Sequence, residues 1–189
     1  MYWNYYNNLF WGFLLVLINI RFGGFNILPE FIGFIIIYNA LNGLAQQHDY
    51  FYKARPFAGA LILLSLPNLY ETPEQNLLMY PITNQNLLMV LIGQAYIIIH
   101  ILMVYYISRA ISELAEEMAL ADLYHYNNSV WRFYLALSSA MLAAAPFMYT
   151  ILAEFKGLLV ILIILAFISL IFLQHLIHRA GQELGSHNS

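Results

Sequence analysis

A chain of 189 residues that is 62% hydrophobic and only 9% charged holds more apolar side chain than a water-soluble fold of its size can enclose, because a soluble domain is about 45–50% apolar and about 25% charged. Seven Lys and Arg against ten Asp and Glu, a formal net charge of −3, exclude a basic surface on which counterion release drives nucleic-acid binding. The lack of cysteine removes disulfides, thiolate nucleophiles and Cys-ligated zinc or iron–sulfur centres.

The composition predicts an all-α fold, a polytopic transmembrane helical bundle forming one membrane domain, with lipid covering the outward apolar faces. A hydrocarbon core about 30 Å thick needs about 20 helical residues at 1.5 Å each, and six runs approach that length. The first, 3–20, opens on Trp3, Tyr5 and Tyr6, rings suited to the headgroup layer. With no cationic stretch before it and no small-residue cleavage site after it, this run reads as a retained helix rather than a leader. It stops at Arg21-Phe22-Gly23-Gly24-Phe25-Asn26, where two adjacent glycines permit a tight reversal. The second, 29–44, has a helix start written by Pro29 and by Glu30 in the positive first turn. The third, 56–70, reaches only about 22 Å unless the helix begins earlier, near Asp49. The stretch 68–86, with Pro73, Pro81 and a repeated QNLLM at 75 and 85, reads as a loop at the interface.

Past the fourth span, 87–108, the helix either continues into water or bends along the surface, as a cytoplasmic amphipathic helix over about 109–126. The fifth, 130–152, carries Ala136, Ala140 and Ala144 with Ser139 and Ala143 alongside. Small residues on one face predict close, central packing, and Pro146 a kink. The sixth is 158–177. Six crossings put Lys53, Arg55, Arg109, Arg132 and Arg179 on the side of the termini and only Arg21 and Lys156 opposite, which predicts that both termini are cytoplasmic.

Few residues offer chemistry. His100 lies near the middle of the fourth span, with Gly93, Tyr96 and Met103 on its face. An ionisable group at membrane depth suits a proton relay, a haem ligand or a binding contact, or else a neutral histidine bonded to a neighbouring helix. At the outer rim, Glu30 is placed to join Arg21 and Asn26 in a small polar site, or to serve only as a helix-start carboxylate. Glu154 with Lys156 and Gly157 is a weaker rim candidate of the same kind. His175 and His178 have a spacing that can put two imidazoles on one metal. Histidines also belong near a helix C-terminus on electrostatic grounds, and no carboxylate nearby completes a site, so no metal is expected. In 109–126, Ile111, Leu114, Ala115 and Met118 mark one face and Glu113, Glu116, Glu117 and Asp122 the other. With His125 the carboxylates suit a divalent ion or acid–base work; alternatively they form a solvated face or a docking surface for a protein partner. No GxxxxGK[ST], GxGxxG or HExxH is present.

The stretch GGFNILPEFIGFIIIYNAL from Gly23 to Leu41, followed by Tyr52-Lys53-Ala54-Arg55-Pro56-Phe57, resembles small, uncharacterised multi-pass membrane proteins of low-GC Gram-positive bacteria. The resemblance covers the first third of the chain; it implies a bacterial cell-membrane location and carries no activity or site residue. The function expected from the residues is non-catalytic: binding or moving a hydrophobic or amphipathic ligand, or serving as a subunit of a membrane assembly. A membrane-embedded enzyme for lipid-linked substrates, using His100 or His125 with Asp122, is one alternative, and a channel or ion-coupled carrier another. The expected partners are the bilayer, other membrane proteins or a hydrophobic ligand, with no cofactor.

Overall fold

The computed structural model describes residues 2–17, 21–22, 25–26, 30–66, 84–144 and 156–185. Among these the chain is all-α: α1 (Trp3–Leu17), α2 (Glu30–Leu44), α3 (Asp49–Ser65), α4 (Asn84–Glu117), α5 (Ala121–Ala144) and α6 (Lys156–Gly185). Two strands of two residues, β1 (Arg21–Phe22) and β2 (Phe25–Asn26), pair antiparallel between α1 and α2, so the reversal expected there is a minimal hairpin. Each helix packs against its neighbours in sequence, α6 closes on α1, and α4 touches α6 across the middle. The result is an up-and-down ring of six helices.

The ring is drawn tight where α1 meets its two neighbours. Gly12 of α1 crosses Gly33 of α2 backbone to backbone. Tyr5 lies on Gly43, and Trp3 lies on Gly181 and Gly185, which stand four residues apart on α6. The start of α1 thus meets the end of α6, and Gln47 ties both to the turn after α2. Tyr6 donates its hydroxyl to Gln47 Oε1 (3.1 Å), and Gln47 Nε2 donates to the Leu184 carbonyl (3.2 Å).

Three expectations from the sequence need correction. The third helix begins at Asp49, not Pro56, and its last residue is Ser65. His48 caps it by accepting from the Tyr50 N–H (3.2 Å), and Asp49 occupies the positive first turn. Pro56 therefore sits inside the helix, where it removes one backbone hydrogen bond without ending it.

The segment 109–126 is not one amphipathic helix: α4 does continue past 108, as expected, but it stops at Glu117. The first half of the segment is the last turns of α4 and the second half the start of α5, and Ala110, Ile111, Leu114 and Ala115 are buried in the core. The break is a helix cap at Ala119, whose φ of 56° is left-handed. Leu120 N–H bonds the Ala115 carbonyl (2.8 Å) and Ala119 N–H that of Glu116 (3.1 Å), the two reverse bonds of a Schellman ending. Glycine is the usual residue there, and alanine hides the ending from a reader of the sequence. Because alanine is strained at this φ, Ala119→Gly is expected to stabilise the fold by about 0.5–1 kcal/mol, a rise of about 1–4 °C in Tm for a chain of this size. A thermal melt checks it.

The small face of the fifth span is not the packed one. Ala136, Ser139 and Ala143 are exposed and Ala140 and Ala144 only half-buried, whereas Leu123, Asn127, Val130, Tyr134 and Leu137 are buried at alternating spacings of four and three. That is the heptad seam of antiparallel helices; bulky side chains are needed because the ring has an interior to fill. Residues 145–155, Pro146 and Glu154 among them, and nearly all of the expected interface loop lie outside the described residues.

Leu91–Glu117 of α4 and Val160–Gly185 of α6 are each long and apolar enough to cross a membrane, while α2 is apolar but 15 residues long.

Candidate functional site

Among the described residues the interior of the ring is packed where the start of α1 meets the end of α6, and a cavity lies farther along. α4 turns Met103, Val104, Ile107 and Ile111 inward, all fully buried. The same stripe, followed back toward the start of α4, brings His100 and then Tyr96 to the inside. His100 is 8% exposed and is enclosed by aromatic rings from four helices. Tyr96 stacks on it (centroids 6.1 Å apart), while Phe13 of α1 (6.0 Å) and Phe34 of α2 (6.2 Å) present edges. The fourth ring is that of Tyr134 on α5, whose hydroxyl lies 2.6 Å from His100 Nδ1. A short hydrogen bond of this kind, buried among apolar groups, satisfies both partners and fixes the imidazole's orientation.

Beside this pair opens a cavity of about 320 Å³. Phe13 and Leu17 of α1, Met141 of α5, and Phe167 and Leu170 of α6 make most of its wall; the polar groups in it are His100, Tyr134, Tyr96, Ser138 and Ser169. Ser169 gives its proton to the Ala166 carbonyl of its own helix (2.7 Å), so toward the cavity it offers lone pairs. Such an arrangement can hold an apolar molecule and address one polar group on it.

The candidates read from the sequence are partly brought together. His100, Tyr96 and Glu30 converge, the Tyr96 hydroxyl reaching Glu30 Oε2 at 3.5 Å, long for a hydrogen bond. Arg21 and Asn26 face each other as backbone partners of the hairpin; their side chains lie outside the described structure. The four carboxylates do not form one group. Glu113 is held between Arg109 (2.8 Å) and His48 Nε2 (3.2 Å), clamping α4 to the turn before α3, while Glu116, Glu117 and Asp122 are exposed around the Ala119 cap.

The two histidines of α6 do not share a site. His178 lies against Trp3 and Phe10, whereas His175 Nδ1 meets the Tyr126 hydroxyl at 3.0 Å. Burial holds that hydroxyl above its ordinary pKa although nearby Arg179 pulls the other way, so it stays protonated at neutral pH. Among the described residues no three His, Asp or Glu stand close enough to hold a metal.

Phe13, Phe34, Tyr134 and Ser138 were not legible as site residues. The only sequence signal for Tyr134 is its place seven residues after Asn127 on the buried seam.

No protein family, curated protein or solved structure matches the chain.

Proposed function

We propose that this chain is a non-catalytic polytopic membrane protein that binds an amphipathic ligand in the cavity between α1, α4, α5 and α6. The observation that carries the reading is the His100–Tyr134 pair, 2.6 Å apart, in a wall that is otherwise mostly apolar. A largely apolar pocket with a few convergent polar groups is the common form of a small-molecule site, and 320 Å³ falls at the small end of the usual range of about 300–1,000 Å³. With Nδ1 engaged by Tyr134, the other imidazole nitrogen is the one a ligand's polar group would meet, while its chain runs along Phe13, Leu17, Phe167 and Leu170.

Residence in a bilayer is supported by the outward faces. Trp11, Leu63, Val160, Ile161 and Ile164 are between 51% and 68% exposed, and only 28% of the most apolar window of α4 and of α6 is buried. The core helix of a soluble protein is mostly covered, so these two helices need another apolar medium around them. Six crossings with cytoplasmic termini agree with α1 beginning where α6 ends, and with Lys53, Arg55, Arg109 and Arg179 lying toward that end.

The test is binding of dansyl-labelled undecanoic acid to the purified chain in detergent. Wild-type protein is expected to enhance the dansyl emission saturably. Ser138→Trp, which fills the cavity, should abolish the response, and Tyr134→Phe, which removes one hydrogen-bonding group worth about 0.5–1.5 kcal/mol, should weaken it by about two- to tenfold. Equal emission from wild type and Ser138→Trp would reject the cavity as the site.

A further inference from the structure

Away from the cavity, on the outer side of α3, the chain has a second concavity of about 470 Å³ lined by Tyr38 of α2, Tyr52, Lys53, Arg55 and Pro56 of α3, and Tyr106 of α4. Its chemistry is the reverse of the first. Two cations stand two residues apart, and among the described residues neither forms an ion pair with a carboxylate. The Arg55 guanidinium lies over the rings of both Tyr38 and Tyr52, 5.3 Å from each centroid, and Nη2 donates to the Tyr38 hydroxyl (3.2 Å). Its Nε is buried with no acceptor. Lys53 holds its ammonium 4.5 Å above the Tyr50 ring.

A guanidinium held against two rings, with a hydrogen-bonding nitrogen that has lost water and gained nothing, is incompletely satisfied. An oxyanion is the group that completes it, since a tetrahedral phosphate accepts from a guanidinium fork and from an adjacent ammonium together. Height along the bundle says where the phosphate comes from. The groove lies one to two turns from the start of α3, at the end where the start of α1 meets the end of α6, and tyrosines rim it as they do at a membrane interface. Basic pockets between helices at that level receive anionic headgroups.

We infer that the groove formed by Tyr38, Tyr52, Lys53, Arg55 and Tyr106 is a binding site for a phosphate oxyanion, presented by the headgroup of an anionic phospholipid in the cytoplasmic leaflet. This rests on the bilayer reading above but not on the interior cavity. Snorkelling alone, in which Lys and Arg merely reach the interface, would give no preference for one lipid and no dependence on Arg55 in particular.

The experiment is native mass spectrometry of the full chain released from detergent after exchange with equimolar phosphatidylglycerol and phosphatidylcholine. Wild type is expected to retain phosphatidylglycerol at least tenfold over phosphatidylcholine. Lys53→Gln, an exposed position that the fold tolerates, should reduce that ratio several-fold, and Arg55→Gln should reduce it to near unity. Arg55→Lys should recover little, because the fork and the stacking are lost while the charge is kept. Arg132→Gln, which removes an exposed charge outside the groove, should leave the ratio unchanged.

Equal retention of the two lipids by wild type, or an equal loss in Arg132→Gln and Lys53→Gln, overturns the inference. Displacement of the lipid by millimolar inorganic phosphate assigns the site to a free anion instead and overturns the lipid source. Carbonate extraction of membranes separates the two levels. Protein that stays with the membrane but shows no lipid preference defeats this inference alone, and protein released to the supernatant defeats the bilayer reading.

Discussion

Gly33→Leu is expected to yield no folded protein. A Cβ at this position would lie 2.8 Å from the Gly12 carbonyl oxygen, 3.0 Å from the Val16 backbone nitrogen and 2.7 Å from Val16 Cγ2. Two of the three obstacles are backbone, so no rotamer change relieves them, and the only response is separation of α1 from α2. Those helices meet through Leu9, Phe13, Phe34 and Ile37, all in the buried core. Opening the crossing loosens these contacts as well. Overpacking a core costs about 1–3 kcal/mol when side chains can yield; here they cannot, and the remaining leucine atoms add to the clash.

Set against a total stability of about 5–15 kcal/mol, the expected outcome is loss of the monodisperse peak in size-exclusion chromatography. Gly33→Ala meets the same Cβ contacts without the further leucine atoms, so it should survive with the cost at or above the upper end of that range, about 3 kcal/mol, and Tm lowered by at least about 6–12 °C at about 2–4 °C per kcal/mol. Gly93→Ala is the internal control. Nothing lies within 4 Å of its added methyl, and exchange of a mid-helix glycine should gain about 0.5–1 kcal/mol. A Gly33→Leu chain that melts like wild type would mean that α1 and α2 do not cross there.

The glycines show why part of the fold was readable and part was not. Helix existence follows from runs of apolar residues: the first, second, fourth and sixth helices begin within about three residues of the expected starts, but α4 and α6 run on to Glu117 and Gly185, well past the expected ends at 108 and 177. Boundaries written in ordinary residues were harder. Ala119 ends α4 in a conformation that glycine usually marks, and Pro56, which looks like a helix start, is carried inside α3 because His48 caps the helix earlier. The packing face of α5 was misread for a related reason. Alanines at regular spacing signal close approach only if another backbone approaches, and here the approaches are made by single glycines on three other helices, Gly12, Gly33 and Gly43 on α1 and α2 and the Gly181–Gly185 pair on α6. That last pair has the GxxxG spacing of close helix pairs, but it lies in a polar tail where it does not stand out.

The candidate site was legible at its centre. An imidazole in an apolar run is conspicuous, and the helical period brings Tyr96 to it. Its partners Tyr134, Phe13 and Phe34 come from three other helices, and no local pattern encodes which ring of which helix will meet His100. Only the closure of the ring decides that.

That closure depends on one buried amide. Asn127 of α5 is fully buried, and its side-chain nitrogen donates to the Ser108 carbonyl (3.0 Å) and to Ser112 Oγ (2.7 Å), while Ser108 Oγ donates to its oxygen (3.1 Å). Both amide protons and the carbonyl are used, all of them on α4, so the three bonds fix how far α5 is slid along α4. Tyr134 follows Asn127 by seven residues on the same buried face, and His100 precedes Ser108 by eight on α4. The 2.6 Å contact between Tyr134 and His100 is therefore set two turns away. Asn127→Ala removes three hydrogen bonds at about 1 kcal/mol each and is expected to lower Tm by about 6–12 °C.

Asn127→Asp should do more harm at neutral pH. It replaces both donors with a carboxylate facing the Ser108 carbonyl, and an unpaired buried charge costs several kcal/mol. Burial raises the carboxyl's pKa in the folded state above the unfolded value of about 3.9. The extra instability is thus complete above the folded pKa and is relieved as the pH falls toward the unfolded one. Melts of the variant at pH 8 and pH 5 should show the aspartate form recovering part of its loss in acid while wild type does not. Because the same amide sets the register of Tyr134, Asn127→Ala held well below its Tm should also bind dansyl-undecanoic acid more weakly, by about as much as Tyr134→Phe. Unchanged affinity in the folded variant would show that the cavity does not depend on where α5 is locked to α4.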